Sequence, residues 1–170
     1  MEHSRQRTIQ RLKELEAPEL LINVAKGQEA PGILKSEFQT PYEFYEYSKE
    51  FPKRMPFEKN LIPLWEILGE CITAYVDQEH PIVIRYYYGY PKTEYKILGN
   101  GIFDAIKNFL EFLYLEAGYS EIEIWEAVRA FNLTIHADKL HEEGKKEMKH
   151  YDQRYKLAQI LANLFHHRIS

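Results

Sequence analysis

The chain holds 170 residues, 45% of them apolar and 28% charged, with a formal net charge of −4. One domain with a substantial core is the expectation, and the mild acidity speaks against a nucleic-acid surface. A single cysteine, Cys71, excludes an internal disulfide framework and fits a reducing compartment.

Residues Ser4 to Glu16 read as a helix, because Ile9, Leu12 and Leu15 make one apolar stripe at spacings of three. The stretch is charged throughout and has no apolar run resembling a signal peptide. Pro18 stops the helix. Glu19–Val24 (ELLINV) is expected as a short strand or an irregular apolar segment, followed by a loop through Gly27, Pro31 and Gly32. Thr40-Pro41 then supplies a hydroxyl N-cap and a first-turn proline, so a helix is expected up to Glu50. The same residues alternate aromatic and acidic, which leaves a strand open. Pro52 and Pro56 fence off a connector over 51–60.

A sheet follows. Leu61–Leu68 is the first strand, with Pro63 placing its start at an edge or bend. Gly69-Glu70 turns the chain into Cys71–Val76, with Ile72, Ala74 and Val76 on one face and Thr73 and Tyr75 on the other. After a polar break at Asp77–His80, Pro81–Tyr88 is the clearest strand. It sets Ile82, Ile84, Tyr86 and Tyr88 against Val83, Arg85 and Tyr87. Gly89-Tyr90-Pro91 turns again, and Glu94–Leu98 pairs back. Such short connections imply an antiparallel meander.

Gly99-Asn100-Gly101 ends the sheet and opens a helix whose stripe is Ile102, Ile106, Phe109, Leu110 and Leu113. Gly118 ends that helix. Ser120 caps the next, with Glu123 at the capping-box position and Ile124, Trp125 and Val128 buried. A last helix is expected from Lys145 to Phe165. The fold class is therefore α+β: an antiparallel meander of about four to six strands covered by helices, with a helical C-terminal extension. One domain is expected over 1–170, with a core over about 19–118 and the extension over about 119–170. No run approaches the roughly 18 apolar residues of a membrane span, so the expected location is the cytoplasm.

Little in this order of elements carries reaction chemistry. Cys71 lies in an apolar strand pattern, where a buried structural thiol outweighs a nucleophile. His136 and His141 are five apart and share no helix face, His166 and His167 point apart, and no HExxH occurs, so no metal site is expected. Glu66 and Glu70 read as solvated charges rather than an acid/base pair. LGNGIFD has G-x-G before a helix but lacks the rest of a phosphate loop. No cofactor is expected.

The aromatic set is the strongest signal. Tyr86, Tyr87, Tyr88 and Tyr90 crowd one strand and its turn, while Tyr42, Phe44, Tyr45 and Tyr47 crowd another segment. Tyrosine supplies rigid contact area with a hydroxyl and is enriched in binding patches; it also favours strands for ordinary packing. Alternation sends Tyr87 opposite to Tyr86 and Tyr88, so one set belongs to the core and the other faces outward. The candidate partner-binding residues are Arg85, Tyr87, Tyr75 and Tyr90. Residues 61–130 carry 11 acidic and 5 basic side chains, against 5 and 7 over 131–170, so the strand-rich middle is the acidic part.

The stretches IPLWEILG (Ile62–Gly69), ITAYV (Ile72–Val76), IVIRYYYG (Ile82–Gly89) and EYKILGNGIFDAIKNFLEFL (Glu94–Leu113) resemble, in that order, the SUKH superfamily. These are domains related to a yeast cell-wall-assembly regulator and found widely as bacterial immunity proteins. The resemblance implies an α+β domain without enzymatic activity, many of whose relatives neutralise a cognate toxin, often a nuclease, by binding it. It transfers no catalytic or binding residue. Three readings follow: an immunity-type binding protein with a toxin partner; a regulatory or scaffold domain without one; and a small hydrolase using Cys71 or a histidine. The resemblance leaves oligomeric state open.

Overall fold

The alternating apolar residues of the middle region form a four-stranded antiparallel meander in the order β1 (Leu61–Ile67), β2 (Cys71–Val76), β3 (Ile82–Tyr87) and β4 (Lys96–Gly99). The computed structural model describes residues 2–46 and 52–133. They divide into two compact units, Met1–Ala105 and Ile106–Ser170. The first contains, ahead of the sheet, helices α1 (Glu2–Glu14), α2 (Glu19–Ala25), α3 (Leu34–Glu37) and α4 (Tyr42–Glu46) and a 3-10 turn at Pro52–Arg54. The class is α+β, as expected.

Register follows from the pleat. Cys71 faces Tyr87, Thr73 faces Arg85 and Val76 faces Ile82 across β2 and β3. The register of β1 against β2 shifts between Pro63 and Trp65, which is where a proline without an N–H would disturb an edge strand. Gln39 pairs outside β1: it and Glu66 exchange two backbone hydrogen bonds of 2.9 Å.

One face of the sheet carries the expected core set. Ile72, Ala74, Val76, Ile84 and Tyr86 join Leu61, and Phe44, Tyr45 and Met55 close over them. The opposite face is buried too, with Ile62, Tyr75, Val83 and Arg85 all inside. On β1, Trp65 stacks on Phe38 with ring centroids 4.6 Å apart, and α1, α2 and α3 all pack against this strand.

The N-terminal helix turns Thr8 and Leu12 inward, while Ile9 and Leu15 of the expected stripe are only half-buried. Glu16 adopts a left-handed φ of 51° and ends it. Arg11 then anchors α1 to the sheet: its Nε and one terminal nitrogen donate to both oxygens of Asp77 at 2.9 and 2.8 Å, the bidentate geometry that suits a guanidinium. Glu19–Ala25 is a helix, not the expected strand or irregular segment. Leu20, Leu21, Ile22, Val24 and Ala25 are all buried, so apolar residues surround the helix and no polar stripe marks its period. The segment from Thr40-Pro41 is helical from Tyr42. The Thr40 hydroxyl donates to the Val24 carbonyl at 2.8 Å.

The second unit holds most of α5 (Ile102–Leu115) and α6 (Glu121–Ala130). Ile106, Phe109, Leu110 and Leu113 are buried, as the stripe requires. Ser120 and Glu123 form the full capping box, and Ile124, Trp125 and Val128 are buried. The start of α5 is fixed by Asp104, whose carboxylate accepts the N–H groups of Asn100 at 2.9 Å and Gly101 at 3.2 Å. The helix expected over Lys145–Phe165 lies outside the described residues, as do Tyr47, His136, His141, His166 and His167. Among the described residues no helix is long and apolar enough to cross a membrane.

Candidate partner-binding surface

The hairpin between β1 and β2 has unusual turn chemistry. The Glu70 N–H donates to the Ile67 carbonyl at 2.9 Å. The two residues between them, Leu68 and Gly69, both take left-handed φ values, 49° and 69°. Such turns match the twist of a hairpin and favour Asn-Gly, because a Cβ crowds the backbone at positive φ, glycine has none and asparagine offsets the cost by local hydrogen bonding. Here the first position is a leucine, and it is 58% exposed. A large apolar side chain thus stands in water at a position that disfavours it.

Tyr87 lies beside this tip, being the cross-strand partner of Cys71; the next residue, Tyr88, donates its N–H to the Glu70 carbonyl at 3.0 Å. Tyr87 is 40% exposed and Tyr90 54%. Their rings meet edge to face, with centroids 5.6 Å apart and planes at 75°, a favourable aromatic geometry. The pair is held from below. The buried Tyr86 donates its hydroxyl to the Tyr90 carbonyl at 2.6 Å, and burial pushes the Tyr86 phenol above its usual pKa. Tyr88 donates its hydroxyl to Glu66 at 2.9 Å.

Of the four residues the sequence pointed to, the structure brings Tyr87 and Tyr90 together at the surface and buries the other two. Tyr75 and Arg85 are each only 6% exposed. Tyr75 and Arg85 therefore do not belong to a binding surface: they sit on β2 and β3, the central strands of a sheet covered on both faces. Leu68 was missed, although Leu-Gly between two strand patterns was its visible signal. Glu66 is also corrected: it is 4% exposed rather than solvated, while Glu70 is exposed.

Cys71 is free and buried, and burial raises its thiol pKa, with the nearby Arg85 opposing. A thiol so placed is a poor nucleophile at neutral pH. Among the described residues no group of three or more His, Cys, Asp or Glu side chains could hold a metal ion. A cavity of about 360 Å³ lies along the connector, lined by Met55, Pro56, Phe57, Lys59, Asn60 and an ion pair of 3.4 Å between Lys92 and Glu58.

The described residues thus define an α+β domain with an aromatic surface at one end of its sheet. Comparison of the chain with protein-family models, curated proteins and solved structures found no match.

Proposed function

We propose that this chain is a non-enzymatic, cytoplasmic binding protein of the SUKH kind that neutralises a cognate toxin by direct contact. The single observation that carries a binding role is the surface formed by Leu68, Tyr87 and Tyr90. It combines an exposed leucine in a left-handed turn with two exposed tyrosines in fixed mutual geometry. Local conflicts between sequence and structure concentrate at functional positions, and rigid aromatics make good anchors because little side-chain freedom is lost on docking. The resemblance of Ile62–Leu113 to immunity domains supplies the toxin as the partner. A meander followed directly by an amphipathic helix is the order that resemblance implies.

The test is co-expression with the toxin encoded beside this gene. Growth should be restored by the natural chain and lost with the double substitution Tyr87→Ala/Tyr90→Ala, at unchanged soluble yield. Full rescue by the double variant would remove this surface from the reading. Capture of a housekeeping protein, with no toxin gene adjacent, would favour a regulatory or scaffold role instead.

A further inference from the structure

The exposed charge of β1 to β3 and their turns is acidic, and Lys92, two residues past Tyr90, is paired with Glu58 at 3.4 Å. Residues 61–90, which span β1 to β3 and their turns, hold Glu66, Glu70, Asp77 and Glu79 against one basic residue, Arg85. That arginine is buried. Asp77 is taken by Arg11. Glu66 faces Ile72 across β1 and β2 and Glu70 directly precedes Cys71, which faces Tyr87, so both lie at the Tyr87 end of the hairpin. The Glu66 carboxylate also comes within 3.8 Å of where a Cβ on Gly69 would sit. A tyrosine face carries the negative lobe of the ring quadrupole, and it attracts a cation within about 6 Å of the centroid.

We propose that Tyr87 and Tyr90, with Glu70 beside them, take an arginine side chain of the partner. The guanidinium is the better fit than an ammonium, because it is flat, weakly hydrated and stacks on aromatic faces while still donating to a carboxylate. The Tyr86 hydroxyl fixes the Tyr90 backbone in advance, so the second ring need not be ordered on binding. This inference rests on the binding role proposed above and names the chemistry that the same surface selects.

The probe is a short peptide, Gly-Arg-Arg-Gly, titrated at low ionic strength into the full chain carrying ring-labelled tyrosine, with NMR readout. A matched peptide bearing citrulline, which keeps the shape and removes the charge, is the control. The Tyr87 and Tyr90 ring resonances should move saturably with the arginine peptide and not with citrulline. Tyr87→Phe and Tyr90→Phe should retain binding, because phenylalanine keeps the π face. Tyr87→Leu and Tyr90→Leu should each weaken it about two- to five-fold, the span expected for an exposed cation–π contact, and Glu70→Gln should weaken it as well. Equal response to both peptides, or leucine variants that bind as well as the phenylalanine ones, would overturn the proposal. So would failure of the arginine peptide in a protein whose toxin rescue still depends on Tyr87 and Tyr90; in that case the surface stands and its cation chemistry falls.

Discussion

Leu68 offers the sharpest test of the surface, because strain and contact can be separated there by two substitutions. Leu68→Ala and Leu68→Asn both remove the apolar side chain, which is 58% exposed, and each forfeits a similar part-buried area. They differ in how well they accept the left-handed φ of 49°. Alanine keeps the Cβ clash at positive φ, which costs about 1–2 kcal/mol, whereas asparagine tolerates the conformation through local hydrogen bonding. The asparagine variant should therefore exceed the alanine variant in stability by about 1 kcal/mol. Relative to the natural chain the asparagine variant should be near neutral, since burying a whole leucine is worth about 1.5–3 kcal/mol and less than half of this one is covered. Urea unfolding measures this as a shift in midpoint at constant slope; a slope near 1–3 kcal/mol/M puts the difference at about 0.3–1 M. Both variants should lose partner binding. Equal midpoints for the two would refute the claim that this turn is strained, and full binding by both would refute its role as an anchor.

Three further outcomes follow. The Tyr45 phenol is pushed up from 10.0 to about 12 by burial. Below pH 10 the folded and unfolded chains both hold that proton and its contribution to stability is intact; as pH rises from 10 toward 12 only the unfolded chain releases it, and about 2–3 kcal/mol is lost. Tyr45→Phe should flatten this alkaline limb in denaturation curves, and an unchanged limb would contradict the assignment. Phe109→Ala should destabilise the chain by about 3–5 kcal/mol, as a fully buried aromatic requires, and a near-neutral midpoint would mean that the α5 stripe is misread. Cys71 should resist a disulfide exchange reagent in the native protein and react at once in denaturant; rapid labelling of the native chain would show an exposed, activated thiol.

The sheet was legible because its signals agreed with one another. Alternation in Cys71–Val76 and Pro81–Tyr88, turn residues between them and Pro63 near the start all pointed to one meander, and Ile72, Ala74, Ile84 and Tyr86 lie together in its core. Alternation separates two faces but does not say whether one of them meets water. That is why Tyr75 and Arg85 stand among the binding candidates in the sequence and are found inside. The helix at Glu19–Ala25 was hidden for a related reason: an element buried nearly all round has no polar side, and Ile22 and Val24 favour strands. The capping box at Ser120 and Glu123 was legible because it depends on two residues at a fixed spacing and on nothing distant. Leu68 shows the reverse case. Leu-Gly between two strands marks a turn, but its significance comes from a left-handed backbone angle that the turn signal does not specify.

The Arg11–Asp77 clamp bears on the order in which the chain assembles. Each hairpin of the meander closes over a few residues, but this clamp joins positions 66 apart. Closing a loop of that length costs on the order of 4 kcal/mol in chain entropy, a cost recovered only once β2, whose end Asp77 directly follows, is already in place. The N-terminal helix is therefore expected to dock late, onto a sheet that local contacts have built. Interactions made after the rate-limiting step leave the folding rate nearly untouched and slow the reverse reaction. Arg11→Ala is accordingly expected to raise the unfolding rate more than it lowers the folding rate, which stopped-flow kinetics in urea would measure.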